Sequence, residues 1–77
     1  MIKEHDRIVL KTELPDLGLR KGDLGTVIMV HHNGAGYEVE FMTIDGETIG
    51  VETLLASDIR AVRRREIAQA RMVGVRG

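Results

Sequence analysis

The sequence predicts a small, mostly β domain, and three observations support this fold class. The chain has 77 residues, enough for one hydrophobic core and too few for two. Short runs of alternating apolar and polar residues, rich in β-branched side chains, recur as far as residue 62. Turns that contain glycine separate these runs, as is typical of all-β domains.

The first predicted strand covers residues 6–11. Ile8 and Leu10 should share one face of this strand, and Val9 should lie on the other. The proline in residues 14–25 lacks an amide donor, and the glycines of this stretch favour turns. We therefore expect a loop and a turn before the second strand.

The second predicted strand, residues 26–32, is the most strongly β-branched segment. Strict alternation places Val27 and Met29 on one face, and Ile28 and Val30 on the other. Because both faces are apolar, this strand should either be central or pack its outer face on the tail or on a partner. Three further apolar residues would extend that outer surface: Met42, Met72 and Val73.

A hairpin loop over residues 33–36 leads to two further strands, residues 37–43 and 48–54, which a tight Asp45-Gly46 turn joins. Alternation gives this pair a core face and a solvent face. The residues predicted to face the core are Tyr37, Val39, Phe41, Ile49 and Val51.

Residues 54–59 predict a single helical turn capped by Ser57 or Asp58, before a short last strand over residues 59–62. Five short strands with a helical turn before the last give the connectivity of an SH3-like barrel. Near-closure of the sheet in such a barrel protects the strand edges. We therefore predict a five-stranded SH3-like β-barrel over residues 1–62.

Residues 63–77 differ in character and form a basic tail. Most side chains of residues 66–72 favour helix, and Gly74 would end that helix. Because so short a helix is unstable alone in water, the tail should be either frayed or ordered by docking. We predict a short, partly helical C-terminal tail.

Charge and composition restrict the classes of function. Eleven Asp and Glu face five Lys and Arg in residues 1–59, whereas six Arg face one Glu in residues 60–77. No cysteine is present, which excludes disulfides and thiolate metal sites. The charged N-terminal residues and the lack of a long apolar run predict a cytoplasmic protein with no membrane span.

Several motifs, taken in order, resemble one known family. They are DRIVL at 6–10, LP at 14–15, GLRKGDLGTV at 18–27, GYEVEF at 36–41 and DIR at 58–60. Together they resemble a family of short bacterial proteins, domain of unknown function 4926, over about residues 6–62. The resemblance implies a small barrel and no established activity. Some members look like partners of toxin-like or nuclease-like proteins, which implies an antitoxin- or immunity-like role.

Residues 21–27 also look like the glycine turn of KOW-type domains in ribosomal proteins and transcription elongation factors. Those domains bind RNA or proteins. The similarity covers seven residues, so we interpret it as shared turn geometry.

The sequence offers little for catalysis, and no catalytic residue, metal site or cofactor is predicted. His31 and His32 are neighbours on a strand and should point to opposite faces, so we interpret them, like His5, as ordinary polar residues. Ser57 is the only serine and has no histidine in a fixed relation to it.

Two groups of charged residues are candidate partner-binding sites. Glu38, Glu40 and Glu52 are predicted to share one outer face, either as a solvated face or as an acidic patch for a basic partner. The basic group comprises Arg63, Arg64, Arg65 and Arg71. Three interpretations of it are open: docking on this body or on another copy, binding a protein partner, or contact with nucleic-acid phosphates.

We therefore predict a non-enzymatic protein-interaction module, an antitoxin- or immunity-like partner of a neighbouring toxin or nuclease. Two alternatives stay open. One is a KOW-like nucleic-acid-associated module that uses Lys21 and the tail arginines. The other is a self-assembling small protein, a homo-oligomer whose tail swaps onto a neighbouring copy.

Overall fold

The computed structural model describes residues 1–73 and contains five antiparallel strands in a single sheet. The strands are β1 (Arg7–Leu10), β2 (Leu24–His31), β3 (Gly36–Met42), β4 (Thr48–Leu55) and β5 (Ile59–Ala61). Single-turn 3₁₀ helices lie in three connections, at Pro15–Leu17, His32–Gly34 and Ala56–Asp58. The mostly β fold and its five strands are therefore confirmed. Residues 1–73 contain no helix long and apolar enough to cross a membrane.

The sheet is open, with the strand order β4-β3-β2-β1-β5. Within residues 1–73, no pairing joins β4 to β5, so the closure expected of a barrel is not formed. The reason is the length of the last strand. β5 has three residues, all paired with β1, and the chain leaves the sheet after Ala61.

One face of the sheet carries the hydrophobic core. Its buried members are Ile8, Leu10, Leu19, Val27, Tyr37, Val39, Phe41, Leu54 and Ile59. Burial of a large apolar side chain contributes roughly 1.5–3 kcal/mol, so this cluster is the main source of stability. The predicted inward positions on β1 and β3 are confirmed.

Gly25 lies inside β2, where the sequence predicted a turn, because this strand begins at Leu24. Gly25 pairs with a core residue of β1 and is itself buried. A Cβ atom built on Gly25 would lie 2.5 Å from Cγ1 of Val39 and 2.7 Å from Cε1 of Phe41. Glycine is therefore required here so that the two core side chains can approach the β2 backbone.

β2 contains a β-bulge at Ile28, which has no partner on β3. The extra residue reverses the alternation, so Val27 and Val30 both pair with core residues of β3. Met29 lies on the opposite face. The predictions that Val27 and Met29 share a face, and that Val30 points outward, are therefore wrong.

A second irregularity lies in β4 at Ile49, which has no partner because Phe41 pairs with Gly50 and Met42 pairs with Thr48. Ile49 packs against the core, as predicted. Val51 pairs with Glu40 and is 46% exposed, so its predicted inward orientation is wrong. A shift of one residue moves side chains to the other face of a sheet.

The tail forms no helix in residues 62–73, so the predicted helical tail is not seen there. The predicted helix end at Gly74 lies outside the described residues. Instead of forming a helix, the tail docks on the body. Arg71 binds Asp23 between β1 and β2, and Val73 packs against the core. These contacts stabilise the docked tail, and they outweigh the weak local preference for helix.

Val9 is buried on the second face of the sheet, with 6% of its surface exposed. Its neighbours across the sheet are Leu24 and Arg60. The tail is attached at both ends of this row, since Glu66 binds Arg60 and Arg71 binds the residue before Leu24.

Candidate protein-interaction surface

The face opposite the core, formed by β2, β3 and β4, carries two of the predicted carboxylates, and we call it the outer face. Glu38 and Glu40 lie on it because they alternate with the buried residues of β3. Directly opposite residues of an antiparallel pair share a face. Met29 is opposite Glu38, and Val51 is opposite Glu40, so these two apolar residues lie beside the carboxylates.

Both carboxylates are held by side chains of neighbouring strands. Oε2 of Glu38 lies 2.9 Å from Nε2 of His31, and each of these side chains is one-third exposed. Oε2 of Glu40 accepts a hydrogen bond of 3.0 Å from the hydroxyl of Thr48. Both acidic groups are therefore oriented before any partner binds.

Glu52 lies on the other face from Glu38 and Glu40. It is directly opposite Val39, a core residue, and therefore projects from the core side of β4. The side chain is half-buried, because β4 is the edge of the sheet. The prediction that the three carboxylates share one face is wrong for Glu52, and their role in partner binding stays a prediction.

Exposed apolar side chains surround the two carboxylates of the outer face. Alternation and strand pairing place one of them on β2, one at the end of β3, and two on β4, in its middle and at its end. The set comprises Met29, Met42, Val51 and Leu55, which are 46%, 51%, 46% and 63% exposed. The outer face therefore combines apolar area with negative charge.

Arg63, Arg64 and Arg65 are exposed in a tight turn that follows β5. Glu66 closes this turn: its amide donates to the carbonyl of Arg63 at 3.3 Å, and its carboxylate accepts from the Arg63 amide at 2.6 Å. The same carboxylate receives two hydrogen bonds from Arg60, at 3.0 and 2.6 Å. The turn therefore holds three arginine side chains in solvent.

These hydrogen bonds stabilise the charged form of Glu66. The guanidinium of Arg60 makes the largest contribution, followed by the Arg63 amide, and together they hold the pKa of Glu66 at about 2. Arg65 in this turn has a φ of 67°, a left-handed conformation that is unusual for a residue other than glycine.

Arg71, the fourth predicted basic residue, is separate from the other three. Its guanidinium contacts both carboxylate oxygens of Asp23, with Nε 2.9 Å from Oδ1, and it donates to the Gly18 carbonyl at 3.1 Å. Burial opposes ionisation of Asp23. The hydrogen bonds from Arg71 and from the Arg20 amide outweigh this effect and hold the pKa of Asp23 below its ordinary value. Arg71 therefore anchors the tail to the body, which is one of the three interpretations left open.

Sequence reasoning missed the partners of these arginines. The sequence assigned Arg60 only to a strand and Glu66 only to a helix, yet their side chains form an ion pair. A usable signal was present, because an acidic residue three positions after Arg63 can accept from its amide and close a turn. The pairing of Asp23 with Arg71 had no such local signal.

No metal site is evident in the described part of the chain. In residues 1–73, no three His, Asp or Glu side chains are grouped so that they could hold a metal ion. The rings of His31 and His32 are 6.4 Å apart between centroids, and His31 already contacts Glu38.

Comparison with known proteins places the whole sheet in one family. A family model described as "Domain of unknown function (DUF4926)" matches residues 4–61, which include all five strands. No curated protein and no solved structure matches the chain. The tail that carries the arginines begins where the family match ends.

Proposed function

The chain belongs to this family, whose description assigns no activity, and we propose that it serves as a non-enzymatic, SH3-like protein-binding module. The outer face is the binding surface in this proposal. Its partner would be a protein with a basic, partly apolar surface. The form we favour is an antitoxin- or immunity-like role, because toxins and nucleases that act on nucleic acids carry such basic surfaces.

The observation that carries the proposal is the set of four exposed apolar residues around Glu38 and Glu40. Single exposed apolar side chains are ordinary, but a group on one face favours an interaction surface. Two of the four are methionines, whose flexible side chains adapt to the shape of a partner.

Charge on the same face favours a basic partner. Glu38 and Glu40 are already oriented by His31 and Thr48, so little side-chain freedom is lost when a cation binds. Complementary charge also speeds encounter and excludes acidic proteins. The open geometry supports binding over catalysis, since carboxylates that do acid–base work are usually enclosed in a pocket.

The test is affinity capture by the full chain from an extract of the producing organism, followed by reconstitution with the purified partner. We expect a stoichiometric complex in light scattering. Met29→Lys and Glu38→Lys should each weaken it at least about tenfold, a loss of about 1.4 kcal/mol. Asp16→Lys is the matched control, an exposed carboxylate on the 3₁₀ helix between β1 and β2. A complex equally weakened by Asp16→Lys, or no complex, would contradict the proposal.

One observation favours a second candidate, a nucleic-acid-associated module of the KOW type. The turn at Arg63, Arg64 and Arg65 holds three cations in solvent. This candidate predicts binding to RNA or DNA that weakens steeply with salt, and loss of that binding when the three arginines are replaced by glutamine. A gel shift at low salt distinguishes it from the first proposal.

A further inference from the structure

β4 is the longer of the two sheet edges and leaves backbone groups unpaired. It has eight residues and pairs only with β3, whereas β5 at the other edge has three. An unpaired edge strand presents a row of amides and carbonyls to which another strand can add. The side of β4 away from β3 faces no other strand among residues 1–73.

Two observations identify which backbone groups of β4 point away from β3. The Ala56 amide donates to the Ala35 carbonyl at 3.2 Å, so these two residues form a hydrogen-bonded pair. Hydrogen-bonded and non-hydrogen-bonded pairs alternate along an antiparallel ladder. This alternation directs Leu54 and Glu52 toward β3, and it directs the odd-numbered residues 51, 53 and 55 outward. In agreement, the Leu55 amide donates to Oδ2 of Asp58 at 3.0 Å and not to β3.

The free amides at this edge are therefore those of Val51 and Thr53. Their side chains, and that of Leu55, lie on the outer face because each is opposite an outward residue of β3. Proteins commonly protect an edge with lysine or proline, and Thr48–Leu55 contains neither. Glu52 is the one charged residue of this strand.

We propose that an extended, basic segment of a partner protein adds to β4 as a sixth strand, along residues Val51–Leu55. This inference rests on the proposed function and specifies how the partner binds. The charge of the edge selects the occupant. Glu52 projects from the middle of the strand on its core side, and Glu38 and Glu40 lie one strand further in on the outer face, so negative charge flanks this edge on both faces. A second copy pairing through its own β4 would bring another Glu52 to this acidic edge, whereas a basic segment complements it.

The geometry also specifies the pattern of the incoming segment. Residues beside Val51 and Leu55 would lie on the outer face and should be apolar. Residues on the opposite side of the new strand would lie beside Glu52 and should be lysine or arginine. Main-chain hydrogen bonds supply affinity in this mode, and the alternating side chains supply specificity.

The experiment selects octapeptides from a random display library on the full chain and measures the best binder as a synthetic peptide. We expect alternating basic and apolar residues without a central proline. On binding, hydrogen exchange at the amides of Val51 and Thr53 should slow at least about tenfold, while the Leu55 amide, which Asp58 already binds, should change little. Absence of a binder, or unchanged exchange at both amides, would overturn the inference.

A pair of variants separates backbone pairing from side-chain contact. Thr53→Pro removes an outward donor without breaking the ladder to β3, and should weaken the peptide at least about tenfold. Thr53→Val keeps the amide and should change the affinity less than about threefold. If Thr53→Pro fails to fold, the exchange measurement on the unaltered chain still decides.

The outcomes also separate this inference from the proposed function. Peptide or partner binding that is lost with Met29→Lys but retained with Thr53→Pro would overturn the sixth strand and leave the outer face as the binding surface. Binding lost with Thr53→Pro and retained with Thr53→Val supports strand addition.

Discussion

Arg71 binds Asp23 across 48 positions of the sequence, and this contact joins the tail to the loop before β2. The two side chains are 28% and 19% exposed, so water screens the pair only in part. We expect Arg71→Met to lower the free energy of unfolding by about 1 kcal/mol, as for other partly exposed ion pairs. Urea unfolding measures this. Arg64→Met, an exposed arginine of the same tail, should have little effect, and an equal effect would argue against an anchor at Arg71.

Truncation after Val62 tests whether the tail belongs to this body or to a second copy. If the tail docks on its own body, both the full chain and the truncated chain should be monomers in light scattering, and the truncated chain should be less stable. A full-length oligomer that becomes monomeric on truncation would instead support exchange of tails between copies.

Acid should weaken the attachment of the tail. The pKa of Glu66 is about 2 against an ordinary 4.5, so between these values the folded chain binds fewer protons than the unfolded chain. The stability from this contact is therefore fully present above about pH 4.5 and is lost as the pH falls toward 2. Asp23, whose pKa is also lowered, acts in the same direction below its ordinary 3.8.

The pH dependence is measured by urea unfolding of the unaltered chain and of Glu66→Gln. The difference in stability between them should shrink as the pH falls from 5 to 2. Arg64→Gln changes the charge of the same turn without removing a contact of Glu66, and its difference from the unaltered chain should vary less. A constant difference for Glu66→Gln would contradict the assignment.

Gly25→Ala should destabilise the protein by about 1–3 kcal/mol, the usual range for an added methyl group in a packed core. The new Cβ would meet Val39 at 2.5 Å, which forces the core to shift. Gly36→Ala is the matched control, since its nearest contact would be an ordinary 3.6 Å from the carbonyl of Leu54. Thermal unfolding of the two variants decides whether the close approach of Val39 and Phe41 to Gly25 causes the destabilisation, or whether replacing any strand glycine has the same effect.

The bulge at Ile28 predicts unequal effects at two neighbouring positions. Val30→Ala should lower stability by about 1 kcal/mol because Val30 packs against the core. Met29→Ala should change it by less than about 0.5 kcal/mol, because Met29 lies exposed on the outer face. The reverse order would mean that the strict alternation predicted from the sequence is correct.

The strands were predictable because alternation and turn residues are local signals, and Tyr37, Val39 and Phe41 show how well these work on a strand without irregularity. Bulges were not predictable in the same way. One unpaired residue at Ile28 reversed the faces of Met29 and Val30, and a second unpaired residue at Ile49 left Val51 outside. Register depends on the partner strand, which alternation within one strand does not describe.

The same difference between local signals and strand register explains which residues of the candidate site were predicted correctly. Glu38 and Glu40 were placed correctly on the outer face, since they belong to the most regular strand. Glu52 was not, because its face depends on the register of β4. The helical preference of residues 66–72 is worth little per residue, and the contacts of Glu66 with β5 and of Arg71 with the loop before β2 outweigh it.

The two contacts that hold the tail have an evolutionary corollary. Asp23 and Arg60 lie within the family match, which ends at residue 61, whereas their partners Arg71 and Glu66 follow that point. In a relative that stops near the end of β5, Asp23 would keep its hydrogen bond from the Arg20 amide but would have no tail cation beside it. A tail added to such a relative would then attach to side chains that the sheet and its loops already carry.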